Sequence, residues 1–326
     1  MKIAFLTELK GEGKVTANYP NMRTEFAWMY ALNADHFPFS SYQKVSNYDH
    51  VFAILPKGKL NLSAEGTKIG NQINPVSNLL SSNVISELKT NNTKIHYMQE
   101  GPSWWFNDYE IIDQFNFYNL LSSVDTIFAH NKHDVKFYKG LFPSKNISTI
   151  PPIMIHHHLK NITPNPQEKV MVGGNFARWY GGFQSYIVAD EFNAEKWIPN
   201  SNAQRENEDQ IEDLNHLPRL TWLDWMKTLS TFKYAIHLIP TVAAGTFSLN
   251  CDYFGLPCIG NEKVDTQRIC HPDLAIDVDD VEKARKLAKR LKEDKDFYDM
   301  CSEMSKIKYH EIYTLSKYKL KINNIL

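Results

Sequence analysis

The chain has 326 residues, 43% of them hydrophobic and 22% charged, with a formal net charge of −1. That is enough chain for two domains with separate cores, and the composition is globular, neither disordered nor membrane-spanning. A near-neutral balance excludes a general attraction to nucleic acid or to an anionic membrane, so either partner would require a local basic patch.

Four cysteines, Cys251, Cys258, Cys270 and Cys301, fall in the last quarter without CxxC spacing. They read as reduced core thiols of a cytoplasmic protein, not as disulfides or zinc ligands. The apolar run over residues 1–6 is too short for a signal peptide, and no stretch is long enough to span a bilayer, so no membrane partner is expected.

In chain order, residues 2–6 predict a first strand, followed by Gly11-Glu12-Gly13-Lys14. This is neither a P-loop nor GxGxxG, and a plain surface turn is the simpler expectation. Residues 21–33 carry helical spacing through Phe26, Met29, Tyr30 and Leu32. A second strand is expected over 51–55, a helix over 75–88 with Pro75 in its first turn, and a buried strand over 93–98. That strand ends at Gln99-Glu100-Gly101-Pro102, ahead of Trp104, Trp105 and Phe106. A carboxylate at the carboxyl end of a strand is placed either as a general base or as a solvated turn residue. The two tryptophans serve either to stack on a sugar or base or to pack a core. A helix over 109–121, a strand over 125–129 and a helix from 130 to about 141 complete an alternation that predicts a parallel, doubly wound sheet.

Residues 143–167 are rich in Pro, Asn and Ser, lack helical periodicity and read as the crossing between domains. His156-His157-His158 lies within this stretch without an accompanying acid or cysteine cluster, so metal binding is not expected. An apolar run then ends in Gly173-Gly174, with Asn175 and Arg178 following and an amphipathic segment over 183–192. Such a strand–turn–helix is either a plain connection or an anion cradle, and this stretch alone does not decide between them. The acidic run at Glu206, Glu208, Asp209, Glu212 and Asp213 reads as a solvated insertion.

Residues 220–229 predict a helix, and 234–239 a strand. After these, Gly245, Thr246 and Ser248 open another helix that closes at Gly255-Leu256-Pro257. The hydroxyls here serve either a second phosphate cradle or simple capping. Asp277-Val278-Asp279 has the DxD form of metal-dependent sugar transferases but stands directly before a helix over 281–291, which capping explains better. That helix is apolar through Val281, Ala284, Leu287, Ala288 and Leu291 and is expected to pack on a sheet. A last helix is expected over 297–320.

Two successive α/β halves, the Gly-Gly loop opening the second, and AGTFSLNCDYFGLPCIG over 244–260 together resemble the GT-B glycosyltransferases over most of the chain. Within that family the phage DNA β-glucosyltransferases are similar at Gly174-Asn175-Phe176-Ala177-Arg178, where they carry a Gly-Ser-Phe-Arg loop. Their catalytic carboxylate, an aspartate, is similar in placement to Glu100.

The resemblance implies two Rossmann-like doubly wound α/β domains facing a cleft. Residues 1–160 would form the acceptor domain and 161–305 the nucleotide-sugar domain, with 306–326 a terminal helix crossing back. It implies metal-independent transfer from a nucleoside-diphosphate sugar, most simply UDP-linked, with no cofactor besides that donor substrate. Glu100 would be the base, with inversion if it acts directly, and Trp104 and Trp105 would meet the acceptor. Donor contacts would come from Gly173, Gly174, Asn175, Arg178, Gly245, Thr246, Ser248 and Asn250. The acceptor stays open between DNA (a hydroxymethylated base), a glycan and a small molecule. There are two departures: Asn250 stands where many members carry a ribose-binding glutamate, and Thr246 where a basic residue assists the diphosphate. They leave open a non-catalytic GT-B-like protein that binds a nucleotide or sugar.

Overall fold

The apolar runs become the inner strands of two largely parallel sheets. The structure, a computed structural model, describes residues 1–16, 24–55, 68–69, 72–73, 82–90, 92–108, 111–177, 179–199 and 207–326. It divides into two units, one from the first 151 residues apart from a short stretch ahead of Trp28, the other chiefly from Pro152–Leu326.

In the first part of the chain the elements are β1 (Ile3–Thr7), β2 (Gly13–Lys14), α1 (Thr24–Ala31), β3 (Asp35–Pro38), β4 (His50–Ala53), β5 (Lys68–Ile69) and β6 (Gln72–Ile73). There follow α2 (Ser82–Thr90), β7 (Lys94–Met98), α3 (Ile111–Ser123), β8 (Thr126–Ala129), α4 (Lys132–Leu141) and β9 (Asn146–Thr149). The main sheet has the order β2-β3-β1-β4-β7-β8-β9, with only β2 antiparallel to its neighbour, while β5 and β6 form a separate antiparallel pair.

Every residue of β1 is buried, as expected of a parallel strand covered on both faces. One face contributes Ala4, Leu6, Val51, Ala53, Ile95 and Ile127 to the core. Strand alternation turns Phe5, Phe52, His96 and Phe128 the other way. Their rings stack across the sheet, with centroids 4.9 Å apart for Phe5–Phe52 and 4.8 Å for Phe52–His96.

His96 is 4% exposed, and its Nε2 lies 2.9 Å from His50 Nδ1. Burial, followed by the neighbouring His50 ring, pushes its imidazole down to about 3. As pH falls through the ordinary histidine value near 6.5, the unfolded chain takes up a proton that the folded chain refuses. The contribution of His96 is therefore present above that value and is lost as pH falls toward its folded value. By pH 5 the expected loss is about 2 kcal/mol. Urea unfolding midpoints at pH 7, 6 and 5 measure it. His96→Phe is expected to flatten the trend, and equal slopes in both proteins would count against this origin.

Three features depart from the sequence reading. β9 falls inside the stretch read as an interdomain crossing, and β3 was not expected. Both are short, polar strands at or near a sheet edge, held by backbone pairing that side-chain patterns do not reveal. Gly11 to Lys14 is not only a loose turn. Gly13 and Lys14 pair with β3, and Glu12 accepts hydrogen bonds from Ser41 and Lys44. The helix expected over 75–88 is described from Ser82 onward; 75–81 lie outside the described residues.

The second unit holds β10 (Gln167–Val172), α5 (Gly182–Ala189), β11 (Glu195–Ile198), β12 (Leu214–His216), α6 (Trp222–Leu229) and β13 (Phe232–His237). It continues with α7 (Thr246–Phe254), β14 (Cys258–Asn261), α8 (Asp265–Cys270), β15 (Ala275–Ile276), α9 (Val281–Glu293), α10 (Lys295–Ile312) and α11 (Leu315–Asn323). Its six strands are all parallel, in the order β12-β11-β10-β13-β14-β15. One face packs Val170, Val172, Ile236 and Ile259 against α5, α9 and α10. The other packs Met171, Ala235 and Cys258 against α6 and α7.

α9 buries Ala284, Ala288 and Leu291 in the first of these layers, as its periodicity implies. Asp280 caps it, accepting from Lys283 N at 3.0 Å, while Asp277 Oδ1 accepts from Asp279 N. Of the DxD pair, Asp277 thus takes part in a turn, while the cap is the next residue, Asp280. The final helix is two helices, broken at Tyr313-Thr314. The acidic run is not wholly solvated: Glu208 is 5% exposed, and Asp213 pairs with Lys196. All four cysteines are buried and free. Among the described residues no helix is long and apolar enough to cross a membrane.

Candidate functional site

At the carboxyl edge of the second sheet, two strand ends and a helix start bring distant segments together. β10 ends in Gly173-Gly174, β13 in His237, and the loop after β13 leads to α7. Gly173 N donates to Ile236 O at 2.6 Å, tying the first two ends. Gly174 has φ +76, a left-handed conformation that favours glycine. A Cβ on Gly173 would lie 2.7–2.9 Å from His237 side-chain carbons, and one on Gly174 would lie 2.8 Å from Tyr180 O. The two glycines are therefore required by close approach.

The loop closes on itself. Asn175 is 2% exposed, and its Oδ1 accepts from Ala177 N at 2.9 Å while its carbonyl accepts from Gly182 N at 3.1 Å. Ser185 Oγ donates to Gly181 O and accepts from Leu238 N at 2.9 Å, binding α5 to the end of β13. Arg178 lies outside the described residues.

α7 starts at Gly245, φ +76, whose missing side chain makes room for Thr266 and Val264. The first intrahelical bond runs from Leu249 N to Gly245 O at 3.1 Å, so the N–H groups of Thr246, Phe247 and Ser248 precede the helical ladder. Thr246 is half-buried. Ser248 is 4% exposed, and its hydroxyl is committed to Gly245 O at 3.1 Å and Thr266 Oγ1 at 2.6 Å. Its hydroxyl therefore holds the turn from behind. Asn250, 6% exposed, is likewise engaged: with its amide oriented to satisfy both neighbours, its oxygen accepts from Trp225 Nε1 at 2.9 Å and its nitrogen donates to Thr246 O. That bond to Trp225 occupies the amide oxygen read from the sequence as a ribose contact.

His237 was not singled out from the sequence. Its ring packs on Phe247 with centroids 4.7 Å apart, bridging the Gly-Gly turn and the first turn of α7. The residue keeps some exposure, but Nε2 is sealed from solvent, and burial pushes the imidazole down to about 4. Its only sequence signal is a polar residue closing an apolar strand.

In the first unit, Glu100 follows β7 at the carboxyl edge of its sheet and is half-buried. Gln99 beside it is fully buried, with its N–H donating to Phe128 O at 2.9 Å and its Nε2 to Gly101 O at 2.7 Å. Gly101, at φ +80, completes the turn. Trp104 and Trp105 are half-buried with rings 5.6 Å apart, and Trp105 also packs against the core. Asp134, in the first turn of α4, is a second carboxylate near this edge. It is fully buried beside Asn131, whose Nδ2 donates to it at 2.9 Å, and burial raises its carboxyl despite that bond. Among the described residues no group of three or more His, Cys, Asp or Glu is arranged to hold a metal ion.

No family model and no curated protein matches this sequence. Solved structures do match in fold. An α-glucosyltransferase in complex with UDP and DNA containing an HMU base aligns over 100% of this chain and 99% of its own, with TM-score 0.63 and 11% identity. HepE from Anabaena, in complex with UDP and glucose, aligns over 100% and 99%, with TM-score 0.64 and 9% identity. Sucrose-phosphate synthase from Thermosynechococcus elongatus aligns over 93% of this chain and 77% of its own, with TM-score 0.62 and 10% identity. With two parallel α/β sheets and full-length likeness to these proteins, the chain has the fold of the GT-B glycosyltransferases.

Proposed function

We propose that this protein is a glycosyltransferase that moves a sugar from a nucleoside-diphosphate sugar to an acceptor hydroxyl. The observation that carries the reading is the convergence of the Gly173-Gly174 turn and the start of α7 on one sheet edge. Unbonded N–H groups at a helix start, beside a turn stripped of side chains, suit a diphosphate. Proteins of the same fold were solved with UDP or UDP-glucose, which supports a UDP-linked donor.

In this reading, Gly173, Gly174, Gly245 and Thr246 meet the diphosphate, and Arg178 adds the positive charge. Asn175 and Ser248 shape the two turns. Glu100 takes the acceptor's proton, and Trp104 or Trp105 offers it an apolar face. The donor domain extends over 161–305 and the acceptor domain over 1–160. Transfer without a metal ion is part of this reading, with Asp277 of the DxD pair engaged in the turn ahead of α9.

The test is a thermal-shift screen of nucleoside-diphosphate sugars, followed by donor turnover with and without EDTA. A ligand present at about 100 times its Kd is expected to add about 2.7 kcal/mol of apparent stability. No shift with any such donor would sink the reading. The acceptor class of DNA draws support from the neighbour solved with DNA and is opposed by the net charge of −1. Duplex binding that weakens steeply with salt would favour it. The engagement of Asn250 by Trp225 favours a second reading, a protein that binds the nucleotide without catalysis. Slow donor hydrolysis without acceptor would separate the two.

A further inference from the structure

We infer that His237 is a positioning residue of the donor site: its ring is the spacer that holds the Gly173-Gly174 turn at a fixed distance from the first turn of α7. The inference rests on the donor reading proposed above, and it adds a residue and a role to it.

The ring of His237 contacts both segments. On one side of the ring lies Gly173, where even a Cβ would come within 2.7 Å of Cγ and 2.9 Å of Cδ2. The turn continues past the edge of the ring, so that a Cβ on Gly174 would stand 3.4 Å from Nε2. Phe247 packs against the ring with centroids 4.7 Å apart and planes inclined at 58°. Phe247 is itself a first-turn residue of α7, so one imidazole links the Gly-Gly turn to the N–H groups that precede the helical ladder. Such a cradle binds an anion well only when its donors are held in place beforehand.

Shape is what the ring supplies. With burial pushing it down to about 4, the imidazole is uncharged at neutral pH and adds no attraction for a phosphate. Nε2 is sealed within the protein and meets no hydrogen-bond partner among the described residues. A flat apolar ring of similar size should therefore serve nearly as well, whereas a small side chain should let the two segments collapse or drift.

The test is calorimetric titration of UDP into the full chain and four variants, with melting curves recorded alongside. His237→Ala is expected to weaken UDP binding by about tenfold or more, and His237→Phe to stay within about threefold of the native protein. Gly173→Ala is expected to weaken binding because its Cβ meets the ring, and Gly173→Ala combined with His237→Ala should bind better than Gly173→Ala alone. Native affinity in His237→Ala would overturn the inference, as would a His237→Phe variant that folds but binds no better than His237→Ala. Failure of the native protein to bind UDP or any other nucleoside diphosphate would instead remove the donor reading, and this inference with it. That result appears in the native titration before any variant is compared.

Discussion

Glu100→Gln is expected to slow sugar transfer by about 10²–10⁴-fold while leaving UDP affinity within about twofold of the native value. Glutamine keeps the shape of the side chain and its capacity to accept a hydrogen bond but does not take the acceptor's proton. The turn that carries Glu100 has supports besides that side chain. It is pinned by Gln99, through Phe128 O and Gly101 O, and by the left-handed Gly101. Folding should therefore survive the exchange. Donor binding, assigned to the other unit, should survive as well, and the loss should appear in kcat. Initial rates of transfer at saturating donor, together with a UDP titration, measure both parts. Unchanged turnover would remove Glu100 from the chemistry, while loss of UDP affinity would mean that it acts on the donor.

Removing one member of the Asp252–His271 pair is expected to cost about 3–5 kcal/mol of stability. Asp252 Oδ1 lies 2.6 Å from His271 Nε2 with neither residue exposed. Burial raises the Asp252 carboxyl, and His271 opposes that shift. Either group left alone would be a buried polar group without compensation. The pair joins α7 to the end of α8, the same two elements that meet at Gly245 and Thr266. Asp252→Ala should therefore loosen the start of α7 as well as lower the denaturation midpoint. Replacing both residues by apolar ones of similar volume should recover much of the loss. Denaturant unfolding of the two single variants and the double variant measures this, and a double variant that loses the sum of the two singles would show that the residues are not coupled.

What the sequence alone determined is the class of the fold and the position of the Gly173-Gly174 turn. Apolar runs such as those within β1, β7, β10 and β13 stand out because the strands of a parallel sheet are covered on both faces. The glycines at 173–174 and 245 mark places where a chain must turn tightly after a strand or before a helix, and this too is a local property. Short strands such as β3, β9, β11 and β12 are different. Asp35-His-Phe-Pro and Leu214-Asn-His carry no usable pattern, and their backbone bonds to neighbouring strands define them.

Only the tertiary structure decided which neighbours the polar residues meet. Ser248 has the residue type of a phosphate ligand, but Thr266, eighteen positions on, claims its hydroxyl. Asn250 falls where a ribose contact is expected, yet Trp225 takes its amide oxygen. His237 carries no motif, and its contacts with Gly173 and Phe247 arise because parallel strands bring their carboxyl ends to one edge whatever their separation in the chain. A local pattern records how a segment covers its own faces, whereas a hydrogen bond or ring contact between segments depends on which neighbour the fold delivers.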